Sequence, residues 1–182
     1  MKLSTRNSCI RGLFLLLAMG NFSVQASMLC RDSFDTLRNN MTNMNYKSFD
    51  QTPNSGWRVL YNQGCYLEAA VLIEQYKTIT GEQQASLQWH LFQNYAMAGK
   101  REQAIAVGEA LLLSAKNNPA EFLWVEYIAA SVAFLKEDRV TLMKMRNKLA
   151  AQADFFPNKM NLKVLDSLVD NVKSSYQAAY QQ

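Results

Sequence analysis

The chain has 182 residues, with 19 Lys and Arg, 15 Asp and Glu, three cysteines and a single histidine. That length suggests one domain and suffices for a real core, while the lone histidine, with no GxSxG, HExxH, P-loop or Gly-rich dinucleotide turn, excludes the familiar catalytic and metal-binding motifs. The formal charge of +4 belongs largely to the first residues: Lys2, Arg6 and Arg11 lie within residues 1–26, which hold no acidic side chain. The remainder is close to neutral, so charge gives no argument for nucleic acid or an anionic membrane surface.

After that basic start, GLFLLLAMG from Gly12 to Gly20 is an apolar run, and Val24-Gln25-Ala26 offers small side chains at the positions a signal peptidase reads. The run is about half of the ~20 residues a bilayer-crossing helix needs. The pattern predicts a cleaved secretory signal over residues 1–26, with cleavage near Ala26 and no stable membrane insertion afterwards. The expected location is the periplasm of a Gram-negative bacterium, or outside the cell. Residues 27–53 are polar and are expected to form an N-terminal cap segment, with one short helix around Phe34 to Met41 and then a loop through Pro53.

Cys9 falls within the signal, leaving Cys30 and Cys65 as an even pair. In an oxidising compartment two such thiols are expected as a disulfide, here closing a loop of about 35 residues. The alternative, a reactive thiol, needs a lowered pKa and a nearby base; the spacing is not CxxC, and no motif ties His90 to either cysteine. Two cysteines and one histidine without finger-like spacing make a poor zinc set. No metal, cofactor or catalytic residue is expected.

From Gly56 onward helical signals dominate. Leu87, Leu91, Tyr95 and Ala98 recur at helical steps, as do Ala104, Val107, Leu111 and Ala115, then Leu142, Met145 and Leu149, and finally Leu165, Leu168, Val172, Tyr176 and Tyr180. No stretch alternates as adjacent strands do, and the predicted class is all-α. PAEFLWVEYIAASVAFL, residues 119–135, is apolar almost all round, as a helix buried on more than one side would be. Its Glu121 and Glu126 argue against a membrane span, and Glu126 is expected to pair with a lysine or arginine inside the stack. A mild basic cluster, Arg139, Lys144, Arg146 and Lys148, is expected to be a solvated helix face. Glu137 and Asp138, adjacent in an apparent turn, are expected to be solvated rather than to serve as acid and base, and His90, beside Trp89 on a helix, is expected to be a packed or surface imidazole.

The helices also repeat. Gly64 is followed five residues on by Ala69, Gly99 by Ala104, and, in a degraded third copy, Glu137 by Leu142, so that the turns stand 35 and 38 residues apart. A turn residue free to take positive φ and a small residue in the second helix are what a close helical hairpin needs. The second unit, with Trp89, Leu91, Tyr95, Gly99 and Ala104, resembles a tetratricopeptide repeat (TPR), two antiparallel helices of about 34 residues that stack into a superhelix. The first unit is similar at Gly64 and Ala69, and the third departs at Glu137 and Leu142. The resemblance covers roughly residues 54–152; WRxLxxxGCYxEAAxLIxxY also resembles a group of exported bacterial TPR-like proteins. It implies a short TPR-like solenoid over residues 54–182, closed by a C-terminal capping helix over about 158–180, with the disulfide fastening an N-terminal cap.

The resemblance further implies that the first helix of each pair lines a concave groove for an extended peptide or a partner's helix. Arg58, Asn62, Trp89, Gln93, Trp124 and Tyr127 map to that face, although the tryptophans fit interhelical packing equally. Arg, Trp and Tyr are enriched where binding energy concentrates. The expectation is a non-enzymatic, exported protein-binding module or adaptor whose partner is a protein or peptide. The alternatives are an immunity-type inhibitor of a toxin acting in the periplasm and an enzyme with an unconventional site.

Overall fold

A computed structural model describes residues 11–117 and 119–180, with side chains from Gln25 onward except that of Ala26. All regular structure among the described residues is helical. In chain order the elements are α1 (Arg11–Asn40), a 3₁₀ turn (Met41–Asn43), a π-helical turn (Lys47–Gln51), α2 (Trp57–Asn62), α3 (Tyr66–Thr80), α4 (Ala85–Met97), α5 (Arg101–Ser114), α6 (Trp124–Leu135), α7 (Arg139–Ala150), α8 (Phe156–Asp170) and α9 (Tyr176–Tyr180).

The expected short helix near Phe34 proves to be the end of a long one. α1 runs without a break from Arg11 to Asn40, and its described side chains divide into two groups. Gln25, Ser27, Met28 and Leu29 are all exposed, whereas Cys30, Phe34 and Leu37, a stripe at helical spacing, pack against the core. Lys2, Arg6 and Cys9 of the expected signal lie outside the described residues. No described helix is long and apolar enough to cross a membrane.

Three hairpins follow, and their turns share one hydrogen-bond pattern. The amide of Gly64 donates to the carbonyl of Tyr61 and that of Cys65 to Leu60; Gly99 donates to Ala96 and Lys100 to Tyr95; Glu137 donates to Phe134 and Asp138 to Ala133. Each set is a 4→1 bond nested inside a 6→1 bond, which satisfies carbonyls that the ending helix would leave unpaired. The shared geometry requires a left-handed residue, at φ of 77° and 69° for the two glycines and 59° for Glu137. A glutamate tolerates this at a cost of about 1–2 kcal/mol, and here its carboxylate meets Arg101 Nη1 at 2.6 Å. Asp138 caps α7 by accepting from the Thr141 amide. The degraded third copy has therefore lost the glycine and kept the turn.

Each helix packs chiefly on its predecessor and its successor from α2 through α9. Small residues set the approach within the hairpins: Ala69 and Ala104 are fully buried. At Gly108, inside α5, an added Cβ would lie 2.5 Å from Val132 of α6 and 2.9 Å from Phe92 of α4. The contact of three helices there uses the absence of a side chain, which outweighs the poor helix propensity of glycine.

Two boundaries differ from the sequence expectation. α6 begins at Trp124, several residues beyond Pro119, because its start is capped from outside: Asn158 Oδ1 accepts from the Leu123 amide and Asn117 Oδ1 from the Val125 amide. From there Tyr127, Ile128 and Ala130 through Leu135 are buried. The single C-terminal helix expected over about 158–180 is two. α8 opens at Phe156 with Pro157 in its first turn and stops at Asn171, where the polar run to Ser175 turns the chain so that α9 can return to α4. Leu165 is buried, and Val169 and Val172 pack partly on the core. Glu126 does pair with a lysine, Lys148 Nζ at 3.2 Å, and with Asn117 Nδ2, but Lys148 is half-exposed, so the ion pair lies at the edge of the stack rather than inside it. Arg146 of the basic helix pairs with Asp166 of α8.

The Cys30–Cys65 disulfide ties α1 to the residue that opens α3, with Cα atoms 5.4 Å apart. Replacing both cysteines by serine is expected to lower stability by about 4 kcal/mol, the chain-entropy value for a loop of this length; urea unfolding of the oxidised chain and of the double variant measures the difference.

Candidate functional site

Helices α2, α4, α6 and α8, the alternate members of the stack, turn residues toward one cleft of about 460 Å³. Arg58 comes from α2, Ser86, Trp89, His90 and Gln93 from α4, Trp124 and Tyr127 from α6, Asn161 from α8 and Tyr180 from α9; Gln51 and the α5–α6 connection, with Lys116 and Phe122, complete the rim. Five of the six residues assigned to the groove from sequence thus meet in one place. The sixth, Asn62, does not line it: at the exposed end of α2 its amide donates to Asn54 Oδ1 at 2.9 Å. A larger hollow of about 580 Å³ lies at the turn ends of the second and third hairpins, where the Arg101–Glu137 ion pair forms part of its wall.

The floor is aromatic. Trp89 stands edge-on to Trp124 at 5.0 Å between ring centroids and touches Tyr127 at 5.1 Å, and Phe122 stacks beside Trp124 at 5.8 Å. Trp89 is 5% exposed and Tyr127 3%, so both serve the core as well as the cleft, while Trp124 is only part-buried. Tyr180 forms one wall, accepting a hydrogen bond from Gln93 Nε2 at 3.0 Å. Burial, reinforced by neighbouring tyrosines, pushes the Tyr61 hydroxyl up to about 12 and the Tyr127 hydroxyl well above its ordinary range, so both remain neutral.

The other wall is organised by a residue that sequence reasoning missed. Asp50, in the π-helical turn, is fully buried. Its Oδ1 accepts from Trp57 Nε1 at 2.9 Å and from His90 Nδ1 at 2.6 Å, Gln51 Nε2 donates to Oδ2, and its backbone carbonyl accepts from Arg58 Nε at 2.8 Å. One residue thereby anchors three side chains that line the cleft, Gln51, Arg58 and His90. The close approach depends on Gly56, at φ 54°, where a Cβ would fall 2.0 Å from the Phe49 carbonyl oxygen. Nothing in the run YKSFDQTP marks Asp50 out, since its partner His90 lies 40 residues away; the only local clue is a carboxylate and an indole seven residues apart with a glycine between them.

Arg58 is held twice, by the Asp50 carbonyl and by its guanidinium carbon 4.5 Å from the Trp57 ring centre. Its terminal nitrogens and His90 Nε2 have no hydrogen-bond partner among the described residues. The arrangement offers an oriented imidazole and a fixed guanidinium beside aromatic faces. Ser86, the hydroxyl nearest in sequence to His90, is bonded to the Tyr46 hydroxyl at 2.5 Å. No three His, Cys, Asp or Glu side chains gather as a metal set among the described residues.

Burial raises the Asp50 carboxyl, but the hydrogen bonds from His90, Trp57 and Gln51 and the attraction of His90 outweigh it, leaving the group below its ordinary value of 3.8. A depressed folded value means that this stabilisation is complete above the unfolded value and is lost as pH falls through the folded one. Asp50→Ala, which strands three donors, is expected to cost about 3 kcal/mol at pH 7. In urea unfolding from pH 7 to 2.5 the stability gap between the native chain and Asp50→Asn should shrink only below 3.8; a gap independent of pH would contradict this reading.

No family model, curated protein or solved structure matches the chain.

Proposed function

We propose that the protein is a TPR-like binding module that takes up a peptide or protein segment in the cleft lined by α2, α4, α6 and α8. The observation that carries the proposal is the convergence of residues from alternate helices, spread over more than a hundred positions of sequence, on one aromatic-floored hollow. A stack built only for its own stability has no need to leave Trp124, Phe122 and an anchored Arg58 facing a cleft. Aromatic rings with a pre-set arginine are the side chains that concentrate binding energy. The TPR-like reading draws on the three matching turns at 35- and 38-residue spacing and on the packing of successive helices. No chemical step is assigned to His90, whose bond to Asp50 serves to fix the wall.

The reading includes export after cleavage near Ala26. It is supported by the disulfide, a bond of oxidising compartments, and by the exposure of Ser27, Met28 and Leu29, which leaves the chain around the expected cleavage point off the core. The module then works outside the cytoplasm, with the crosslink holding the N-terminal cap on the first hairpin.

The test pairs two substitutions that leave the core intact. Trp89 is too deeply buried for the purpose, so Arg58→Gln and Trp124→Ala are combined and the variant is checked for native helicity and unfolding temperature. The chain is crosslinked in the cell and its companions are identified by mass spectrometry. A stoichiometric companion retained by the native chain and reduced at least about tenfold by the double variant, a loss of two anchors of about 1 kcal/mol or more each, is the expected result. A companion retained equally by both would remove the cleft from the interaction.

A further inference from the structure

We infer that the peptide segment accepted by this cleft is acidic, and that Arg58 together with His90 receives one of its Asp or Glu carboxylates. The inference rests on the peptide-binding reading above and adds the chemistry of the ligand.

The charge of the cleft is one-sided. None of the twelve residues lining the cleft is acidic, while Arg58 and Lys116 are cationic and Gln51, Gln93 and Asn161 add amide donors. The nearby carboxylate, Asp50, is fully buried, and its oxygens are already engaged by Trp57, His90 and Gln51. It therefore orients the donors around it and is not itself available to a ligand. A cleft with cations on its rim and no acceptor carboxylate selects an anionic partner and disfavours a basic one.

Pre-organisation sharpens the choice. An arginine normally loses side-chain freedom when it binds, but Arg58 has already been fixed by its bond to the Asp50 carbonyl and by stacking on Trp57. Its Nη groups are left as a planar pair of donors, the shape that meets a carboxylate in two parallel bonds. His90 is fixed by the same aspartate through Nδ1, and its ring packs 4.8 Å from Trp57. Arg58 and His90, each with donors left over for a ligand, are thus attached to a single buried anchor. The aromatic floor of Phe122, Trp124 and Trp89 then suits apolar or aromatic neighbours of the acidic residue. Lys116, also on the lining, favours a second negative charge along the segment.

The probe is a displayed library of random decapeptides, panned against the full mature chain with its disulfide intact. Three variants are panned in parallel: Arg58→Gln, Lys116→Gln and Trp124→Ala, each shown to keep native helicity and unfolding temperature. The expected result is enrichment of Asp and Glu in peptides selected by the native chain, an affinity about tenfold or more above that of their Asn and Gln counterparts, and collapse of that preference in Arg58→Gln. Peptides selected through Trp124 without acidic enrichment, or with an acidic preference unchanged in Arg58→Gln, would overturn the inference while leaving the binding reading in place. Failure to select any peptide that Trp124→Ala releases would overturn both.

Discussion

The buried carboxylate of Asp50 is the point on which the N-terminal half of the molecule converges. An isolated carboxylate in such a place would cost several kcal/mol, and what makes it tolerable is a full set of donors: the indole of Trp57, the imidazole of His90 and the amide of Gln51. Because those donors come from its own turn, from α2 and from α4, the aspartate is also a three-way joint. It holds the segment before the first hairpin against the start of that hairpin and against the first helix of the next. The Cys30–Cys65 bond fixes α1 to the same hairpin at the opening of α3. One joint is electrostatic and the other covalent, and between them the cap cannot drift from the stack without breaking strong interactions.

The same joint shapes the cleft. Arg58 and His90 would be mobile surface side chains if nothing held them; anchored to Asp50, they become fixed donors next to an aromatic floor supplied by α4, α6 and the connection between α5 and α6. At the other side α9 folds back so that Tyr176 packs on Phe92 and Phe134 and Tyr180 meets Gln93. The protein's own C-terminal helix thus closes one end of the surface formed by the alternate helices. What remains open is a hollow lined by the anchored Arg58 and His90 on one side and by aromatic rings on another.

Much of this architecture was legible in the residues. The recurrence of Leu87, Leu91 and Tyr95, and the matching turns at Gly64 and Gly99, depend on local sequence alone, because helix periodicity and left-handed turn residues are local properties. Glu137 could be aligned with the two glycines only through spacing, and the structure shows why spacing sufficed: the hydrogen-bond pattern of the turn tolerates a left-handed glutamate. Features that depend on distant partners were not legible. Asp50 reads as one more polar residue in a polar segment, and His90 as an unremarkable helical histidine, until the fold brings them to 2.6 Å. The late start of α6 belongs to the same class, since its cap is Asn158 from 35 residues away. Five of the positions placed by repeat spacing line the cleft, whereas Asn62, at the exposed end of α2, bonds to Asn54.

The central claim is that Asp50 clamps the first hairpin to the second through Trp57 and His90. Hydrogen exchange at the Trp57 indole, followed by NMR in the native chain, tests it most directly. The account predicts that this N–H exchanges only on global unfolding, with protection close to that of the most protected core amides. Exchange of the Trp57 indole N–H through local opening, orders of magnitude faster than those amides, would contradict it.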